Sequence, residues 1–359
     1  MAKLKFGVIG NGGISGEHLR GYSKNPDAEI WALCDINKER CDRRGEEFGV
    51  PPERRFQSAE KMLAACPELD AVSVCTWNNA HAECAIAALN AGKHVLCEKP
   101  MAMNAEQAQR MKEAADKNGK LLMIGFVRRF GNDCAIMKDF IDNGYFGDIY
   151  YAKATYLRRN GAPGGWFGNK QLSGGGPLID LGVHIIDMVR YIMGKPQPVS
   201  VYGATYDKLK NRPDIKKLHA GYTASDAGTD KPKFDVEDMA TALIRFDNGA
   251  VLHIEVSFSL NIPQDDEENV EIYGDKAGAV LFPNLTIYTQ QNNYLTNVTL
   301  AQGVPHEFHS MFEIETAHFI KCVRDGIECI NPAEDGVALM KILDAVYESA
   351  RTGHEVIIK

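Results

Sequence analysis

Three short stretches of the chain hold residues whose types and spacing suit chemistry. Gly10-Asn11-Gly12-Gly13-Ile14-Ser15 follows an apolar run and opens a helical one, matching G-x-G-x-x-G except that Ser15 takes the third glycine position. The first glycine permits a tight turn, and the second lets a pyrophosphate approach the backbone. The helix start then offers unpaired N–H groups and a partial positive charge to the anion. Asp35 ends the next apolar run, where a carboxylate accepts hydrogen bonds from ribose hydroxyls and repels the extra phosphate of NADP. NAD is therefore expected in preference to NADP. A structural glycine-rich turn beside an exposed Asp is the competing account.

The second stretch is Glu98-Lys99-Pro100, directly after another apolar run. Ligands of open parallel sheets bind at the carboxyl ends of the strands. A lysine there faces the crevice where nicotinamide should lie, and the following proline restricts Lys99 to an extended backbone. An ordinary turn is the rival reading. The third stretch, Gly174 to His184, contains Pro177, Asp180 and His184, with Asp187 beyond it. If Pro177 opens a helix, Asp180, His184 and Asp187 share one face. A carboxylate beside a histidine can fix its tautomer and raise its basicity, as a general base requires. A helix-surface ion pair or a satisfied core histidine competes with that.

These residues need elements to hold them. Leu4–Ile9, Glu29–Cys34, Ala71–Thr76, His94–Cys97 and Leu121–Phe126 read as short, wholly apolar strands, separated by helical stretches such as Ser15–Lys24, Asn37–Phe48, Ala80–Asn90 and Ala105–Asn118. Such alternation predicts a parallel sheet covered on both faces. After Phe126 the pattern changes. A helix near Cys134–Asn143 precedes a long strand, Ile149–Arg158, and a helix near Pro177–Tyr191 precedes alternating or β-branched runs. Among these, Asp247-Asn248-Gly249 signals a hairpin. The expected fold is α/β: an N-terminal Rossmann domain over 1–126, then an α+β domain over 127–359 with a large, mainly antiparallel open sheet. The last helix is a candidate to pack back on the first domain. The polar stretch 206–235 reads as a surface excursion.

Composition narrows the classes. The chain has 359 residues, 45% hydrophobic and 25% charged, enough for two cores without staples. Lys plus Arg number 40 against 48 Asp plus Glu, a net charge of −8 with no basic block, so nucleic acid is not expected as a partner. No run approaches the roughly 18 apolar residues of a membrane span, and the start lacks a signal-peptide layout. A cytoplasmic protein is expected. The nine cysteines form no CxxC pair and mostly sit in apolar runs, which reads as buried reduced thiols. No metal is expected, and His306, His309 and His318 read as structural.

Taken together, Gly10–Ser15, Cys34-Asp35, Thr76–His81, Ala91–Pro100 and Gly175–His184 make the chain resemble the Gfo/Idh/MocA oxidoreductases over essentially its whole length. Trp77 stands where a proline often follows the threonine. The resemblance implies NAD(P)-linked oxidation or reduction of a sugar, polyol or related secondary alcohol, and a C-terminal sheet that often forms oligomer contacts. It implies that Lys99 contacts the reacting oxygen, Asp180 orients the substrate and His184 is the acid/base. It also implies that Thr76, Asn78, His81 and Glu98 line the nicotinamide and ribose part of the cofactor site.

The substrate is less legible. Arg129, Arg158 and Asn160 end strands and suit phosphate, carboxylate or sugar hydroxyls equally, with surface charge as the alternative. Trp166 suits stacking on a sugar ring or nicotinamide, with core packing as its rival. Relatives with Lys and His at these places oxidise ring hydroxyls of pyranoses or inositols. The expectation is an NAD-dependent sugar or glycoside dehydrogenase acting on the 3-hydroxyl, assembled as a dimer or tetramer. Its rivals are an inositol dehydrogenase, a sugar-to-sugar oxidoreductase with retained NAD, and a non-catalytic dinucleotide-binding regulator.

Overall fold

The computed structural model describes residues 2–210, 212, 234–301, 303–304 and 308–359. Most of the polar stretch 206–235, and His306, lie outside the described residues. The chain divides into two compact units, Met1–Phe130 with Glu307–Met340 and Gly131–His306 with Lys341–Lys359.

The first unit contains β1 (Leu4–Ile9), β2 (Ala28–Cys34), β3 (Arg55–Phe56), β4 (Ala71–Val74), β5 (His94–Glu98) and β6 (Leu122–Gly125). They pair in the order β3-β2-β1-β4-β5-β6, all parallel. This is the doubly wound arrangement, whose order reverses between β1 and β4 and opens a crevice at the carboxyl ends of both strands. The strands are mainly apolar because α1 (Ser15–Lys24), α2 (Lys38–Glu47), α3 (Ala59–Ala65), α4 (Asn78–Asn90) and α5 (Ala105–Asn118) cover the sheet.

The expected boundary at 126 is corrected in one respect. After the second unit's sheet, the chain returns to the first unit and contributes to one of its cores. α6 (Asn132–Asp142), α7 (Lys170–Ser173) and α8 (Val183–Ile192) belong to the second unit, but α9 (Phe308–Asp325) packs on α1. Met311, Phe312, Phe319 and Ile320 of α9 are buried with Phe6, Leu19 and Tyr22. Phe6 stacks on Tyr22 with ring centroids 4.3 Å apart and meets Phe319 edge-on at 6.1 Å. The last helix, α10 (Ala333–Thr352), contributes its residues up to Met340 to the first unit and the rest to the second.

The second unit is built on β7 (Ile149–Arg158), β8 (Pro198–Tyr206), β9 (Met239–Phe246), β10 (Val251–Ser257), β11 (Asp266–Gly274), β12 (Gly278–Val280), β13 (Thr286–Gln291), β14 (Tyr294–Thr299) and β15 (Val356–Ile357). Their order is β14-β13-β12-β11-β7-β10-β9-β8-β15, antiparallel except for the parallel pair β10–β7. The Asn-Gly turn joins β9 to β10, with Gly249 alone at positive φ (+85°) in that turn. One face of the sheet is apolar and buried, as at Ala152, Ala154, Ile244, Leu252, Ile254 and Ile272. On β8, β9 and β13 the other face leaves Tyr202, Leu243 and Tyr288 exposed. No helix among the described residues is long and apolar enough to cross a membrane.

Candidate active site

In the first unit the glycine-rich turn sits in the crevice. Gly10 has φ +87°, and a Cβ there would lie 2.6 Å from the carbonyl of Cys75 at the end of β4, so only glycine fits. A Cβ on Gly12 would meet nothing within 4 Å. That open space is the cradle into which a pyrophosphate fits. Gly13 is exposed and Ile14 half-buried at the start of α1, which no side chain caps. Gly16 and Glu17 N–H already donate to the Gly13 and Ile14 carbonyls, so an anion would meet the amides that precede them. Ser15 replaces the third glycine without cost, because its hydroxyl donates to the Gly12 carbonyl at 2.8 Å and closes the turn.

Asn11 has a narrower role than its place in the motif implies. Its side chain points inward and donates to the Cys34 carbonyl at 2.9 Å, tying the turn to β2. Its backbone N–H donates to Asp35 Oδ2 at 2.6 Å, and Asn37 N–H donates to Oδ1 at 2.8 Å. Asp35 is thus fixed at the tip of β2 by two amides. Arg40 stands 3.8 Å from the same Oδ2, and Ile36 beside it is 81% exposed. Sequence reasoning passed over both, although Ile36 is the apolar surface an adenine ring requires. The cradle at Gly12, the uncapped helix and the anchored carboxylate fit a dinucleotide.

The segment after β4 and the Lys-Pro turn after β5 are tied together. Thr76 is half-buried, and Asn78 is buried at the start of α4. His81 is buried with Nδ1 2.7 Å from the Pro100 carbonyl and Nε2 3.1 Å from the Thr76 carbonyl. Burial lowers its pKa against the pull of both carbonyls. The neutral ring carries one N–H and donates it to the nearer carbonyl, of Pro100. His81 is therefore a brace between two loops. Lys99 is half-buried between Glu98 and Pro100.

Glu98 is likewise below the surface. Its Oε1 accepts from His18 Nε2 at 2.8 Å, and its Oε2 accepts from the Lys99 backbone at 3.2 Å. His18 Nδ1 reaches Ser73 Oγ at 3.1 Å, to which Tyr22 OH is bonded at 2.6 Å. Glu315, on α9, completes this buried group. Desolvation and the adjacent Glu98 charge hold its carboxyl well above the usual carboxylate range. Nothing local in the sequence marks Glu315, because it arrives from nearly the far end of the chain.

In the second unit the expected single helix is two windings. A π-helical turn, Leu178–Gly182, precedes α8. From Gly175 to Arg190 every residue is buried except Asp180 and His184. The expected third member of that face, Asp187, is only 2% exposed and points into the core. Wide π turns recur at functional sites because they re-aim side chains without ending the helix. Glu237 organises this turn. It accepts from Leu178 N–H at 3.3 Å and from Tyr347 OH at 2.9 Å, and burial raises its pKa against those bonds. Gly176 is required by close packing, since a Cβ would lie 2.2 Å from the Glu237 carbonyl oxygen. Glu237 and Tyr347 were both missed from sequence.

The substrate candidates divide. Arg129 is corrected: its guanidinium is buried in an ion pair with Asp335 at 2.8 Å and donates to the Ile330 carbonyl, so it secures the loop before α10. Arg158 folds back on Tyr156 and donates to the Gly161 carbonyl at 3.0 Å. Asn160 is exposed and bridges to Ser259. Trp166 is half-buried and stacked on Phe167 at 4.1 Å.

A doubly wound sheet with this crevice, and a separate unit presenting an aspartate and a histidine from a π turn, define a dinucleotide-linked oxidoreductase. Residues 4–126 match the NAD-binding Rossmann fold of the Gfo/Idh/MocA oxidoreductase family, and residues 138–358 match its C-terminal alpha/beta domain. The chain belongs to that family. It is 36% identical to the D-glucoside 3-dehydrogenase of Escherichia coli K12 over 98% of this chain and 97% of that one. It is 30% identical to the myo-inositol 2-dehydrogenase of Thermotoga maritima, over 93% and 92%. Among solved structures, a levoglucosan dehydrogenase in complex with NADH superposes with a TM-score of 0.86 at 25% identity, covering 99% of both chains.

Proposed function

We propose that the protein oxidises a ring secondary hydroxyl of a sugar or glycoside, at the 3-position, with NAD preferred over NADP. The observation that carries this reading is that Asp180 and His184 are the two half-buried residues in the otherwise buried stretch from Gly175 to Arg190. The similarity to a D-glucoside 3-dehydrogenase supports the substrate class. NAD supplies the acceptor for the hydride that leaves the carbinol carbon. His184 takes the hydroxyl proton, Asp180 accepts a hydrogen bond from the substrate and fixes its pose, and the Lys99 ammonium stabilises the developing alkoxide. Gly10, Gly12, Gly13 and Ile14 hold the pyrophosphate by backbone contacts, Asp35 the adenosine ribose, and Thr76 and Asn78 the nicotinamide side. Glu98 and His81 position these groups from beneath. Arg158, Asn160 and Trp166 remain the substrate-side candidates.

The test is turnover with glucosides, free sugars and inositols, with the product ketone located by NMR. Lys99→Met and His184→Gln should each lower kcat by about 10²–10⁴ while NAD binding stays within error of the wild type. Full activity in either variant overturns the roles. NAD binding without turnover of any polyol by the wild type makes the chain a regulator. Preference for inositols selects the 2-dehydrogenase reading, which the Thermotoga relative favours. Nucleotide released only on denaturation, with exchange between two sugars, selects the retained-cofactor reading.

The exposed Tyr202, Leu243 and Tyr288 on one sheet face support a homo-oligomer formed on that face. Elution as a monomer in size-exclusion chromatography removes this. The nine free thiols support a reducing, cytoplasmic location.

A further inference from the structure

Away from the glycine turn and the Lys-Pro turn, the first unit holds a second cluster with a ligand chemistry of its own. α9 carries His318 and Cys322 one helical turn apart, so both project from the same face. Cys329 follows on the loop between α9 and α10. His318 Nε2 and the two sulfurs all lie within 4.8 Å of one another, and Nε2 is 3.3 Å from Cys322 Sγ. Two ligands of a tetrahedral zinc ion, one nitrogen and one sulfur, stand about 3.5 Å apart given ordinary zinc–ligand bond lengths.

The histidine already has the correct form. Ile330 N–H donates to Nε2 at 3.2 Å, so that nitrogen carries the ring's lone pair and the proton sits on Nδ1. The Phe130 ring, 5.6 Å away, restricts the imidazole from the other side. Cys322 is buried, whereas His318 and Cys329 are half-buried and Glu328 beside them is exposed, which leaves an entry path and room for a water.

We propose that His318, Cys322 and Cys329 bind a zinc ion, with water as the fourth ligand. Two thiolates and one imidazole select zinc over the hard cations magnesium and calcium. Binding displaces the two thiol protons and moves the Ile330 amide off Nε2. The ion fastens α9 to the loop that follows. That loop is also held to β6, through Ile124 N–H donating to the Asn331 carbonyl at 3.0 Å, and to Arg129 through the Ile330 carbonyl. The role is therefore structural and separate from the NAD chemistry. A search for CxxC pairs overlooks this group, because its first two members are spaced by a helix turn and its third lies beyond the helix end.

The test uses the full-length protein, stripped of metal under reducing, oxygen-free conditions and titrated with cobalt(II). The wild type should develop thiolate-to-cobalt charge-transfer absorption and the intense visible bands of tetrahedral cobalt, saturating at about one ion per chain. Zinc should abolish both and raise the melting midpoint. Cys329→Ser and Cys322→Ser should lose the charge-transfer band progressively, His318→Asn should weaken binding, and Cys84→Ser should change nothing. NAD binding by each variant checks that the unit is folded. If Cys322→Ser fails this check, the half-buried Cys329→Ser carries the test. A wild type with no charge-transfer band and no zinc-dependent melting shift overturns the site. So does a Cys322–Cys329 disulfide in the protein as isolated, or a cobalt spectrum unchanged in the Cys variants.

Discussion

His18 Nε2 lies 2.8 Å from Glu98 Oε1, with both side chains buried, so the helix that begins at the glycine turn is joined to the last residue of the strand that precedes Lys99. Burial opposes a charged ring at His18, but Cys75 and Glu98 outweigh it and raise the ring from 6.5 to about 10. Burial in turn pushes the Cys75 thiol up. Removing one partner leaves a buried charge uncompensated. His18→Ala should cost about 3–5 kcal/mol in urea unfolding, whereas a double replacement by uncharged residues of similar size should cost less than the single one.

The same pair fixes a pH dependence. A histidine whose pKa is higher in the folded state stabilises fully below its unfolded value, and the benefit is lost as pH rises through the folded one. Stability should therefore decline between pH 6.5 and about 10. Glu315, raised by burial and by Glu98, acts in the same direction, from its ordinary 4.5 upward. Melting midpoints across pH 5–10 should show less alkaline loss in His18→Gln and in Glu315→Gln than in the wild type. Equal slopes in all three proteins would contradict the assignment.

Gly10 and Gly12 of the turn should fail differently. Gly10→Ala forces a Cβ against the Cys75 carbonyl at 2.6 Å and a left-handed backbone on alanine, costing about 1–2 kcal/mol from the conformation alone. Gly12→Ala meets nothing in the protein. It should melt like the wild type yet raise the KM for NAD roughly tenfold or more, as expected when a charge-assisted contact is displaced. Calorimetry and kinetics on the pair separate fold from cradle.

The proposed preference for NAD over NADP is tested at Asp35 and Arg40. Asp35→Ser should weaken NAD by roughly 10-fold or more and raise the NADP/NAD ratio of kcat/KM, since it frees Arg40, now 3.8 Å from Asp35, to meet a 2′-phosphate. Adding Arg40→Ala should cancel the gain for NADP while leaving the loss for NAD. A gain that survives in the double variant would exclude Arg40 from the effect.

The π turn depends on Glu237. Tyr347→Phe removes the 2.9 Å hydrogen bond to it and should lower kcat with NAD affinity unchanged, at a stability cost of about 0.5–1.5 kcal/mol. Gly176→Ala, aimed at the Glu237 carbonyl from 2.2 Å, should destabilise by more, about 1–3 kcal/mol of overpacking. Stopped-flow binding of NAD beside steady-state turnover distinguishes the two outcomes.

Much of the nucleotide half was legible from sequence because its information is local. The glycines, the helix start and Asp35 lie within one strand–turn–helix–strand segment, and period and turn chemistry fix their relation before any long-range contact forms. The buried strands of the parallel sheet read clearly for the same reason, and so did the Asn-Gly hairpin between β9 and β10. Asp180 and His184 were legible as a spaced pair, but Asp187 was not separable from them. Helical periodicity places all three on one face, and only the π turn and the core decide which remain accessible.

What the tertiary structure alone decided was which polar groups are buried and with whom. Arg129 reads as a substrate contact until Asp335 arrives beside it, and nothing near Glu98 in the sequence announces the His18 and Glu315 that lie against it. The return of α9 to the first unit brings in Glu315, His318 and Cys322 from a stretch whose sequence carries only helical periodicity. A side chain's local sequence sets what it can donate or accept. Its desolvation, and hence its charge and role, depends on neighbours that packing brings from hundreds of residues away.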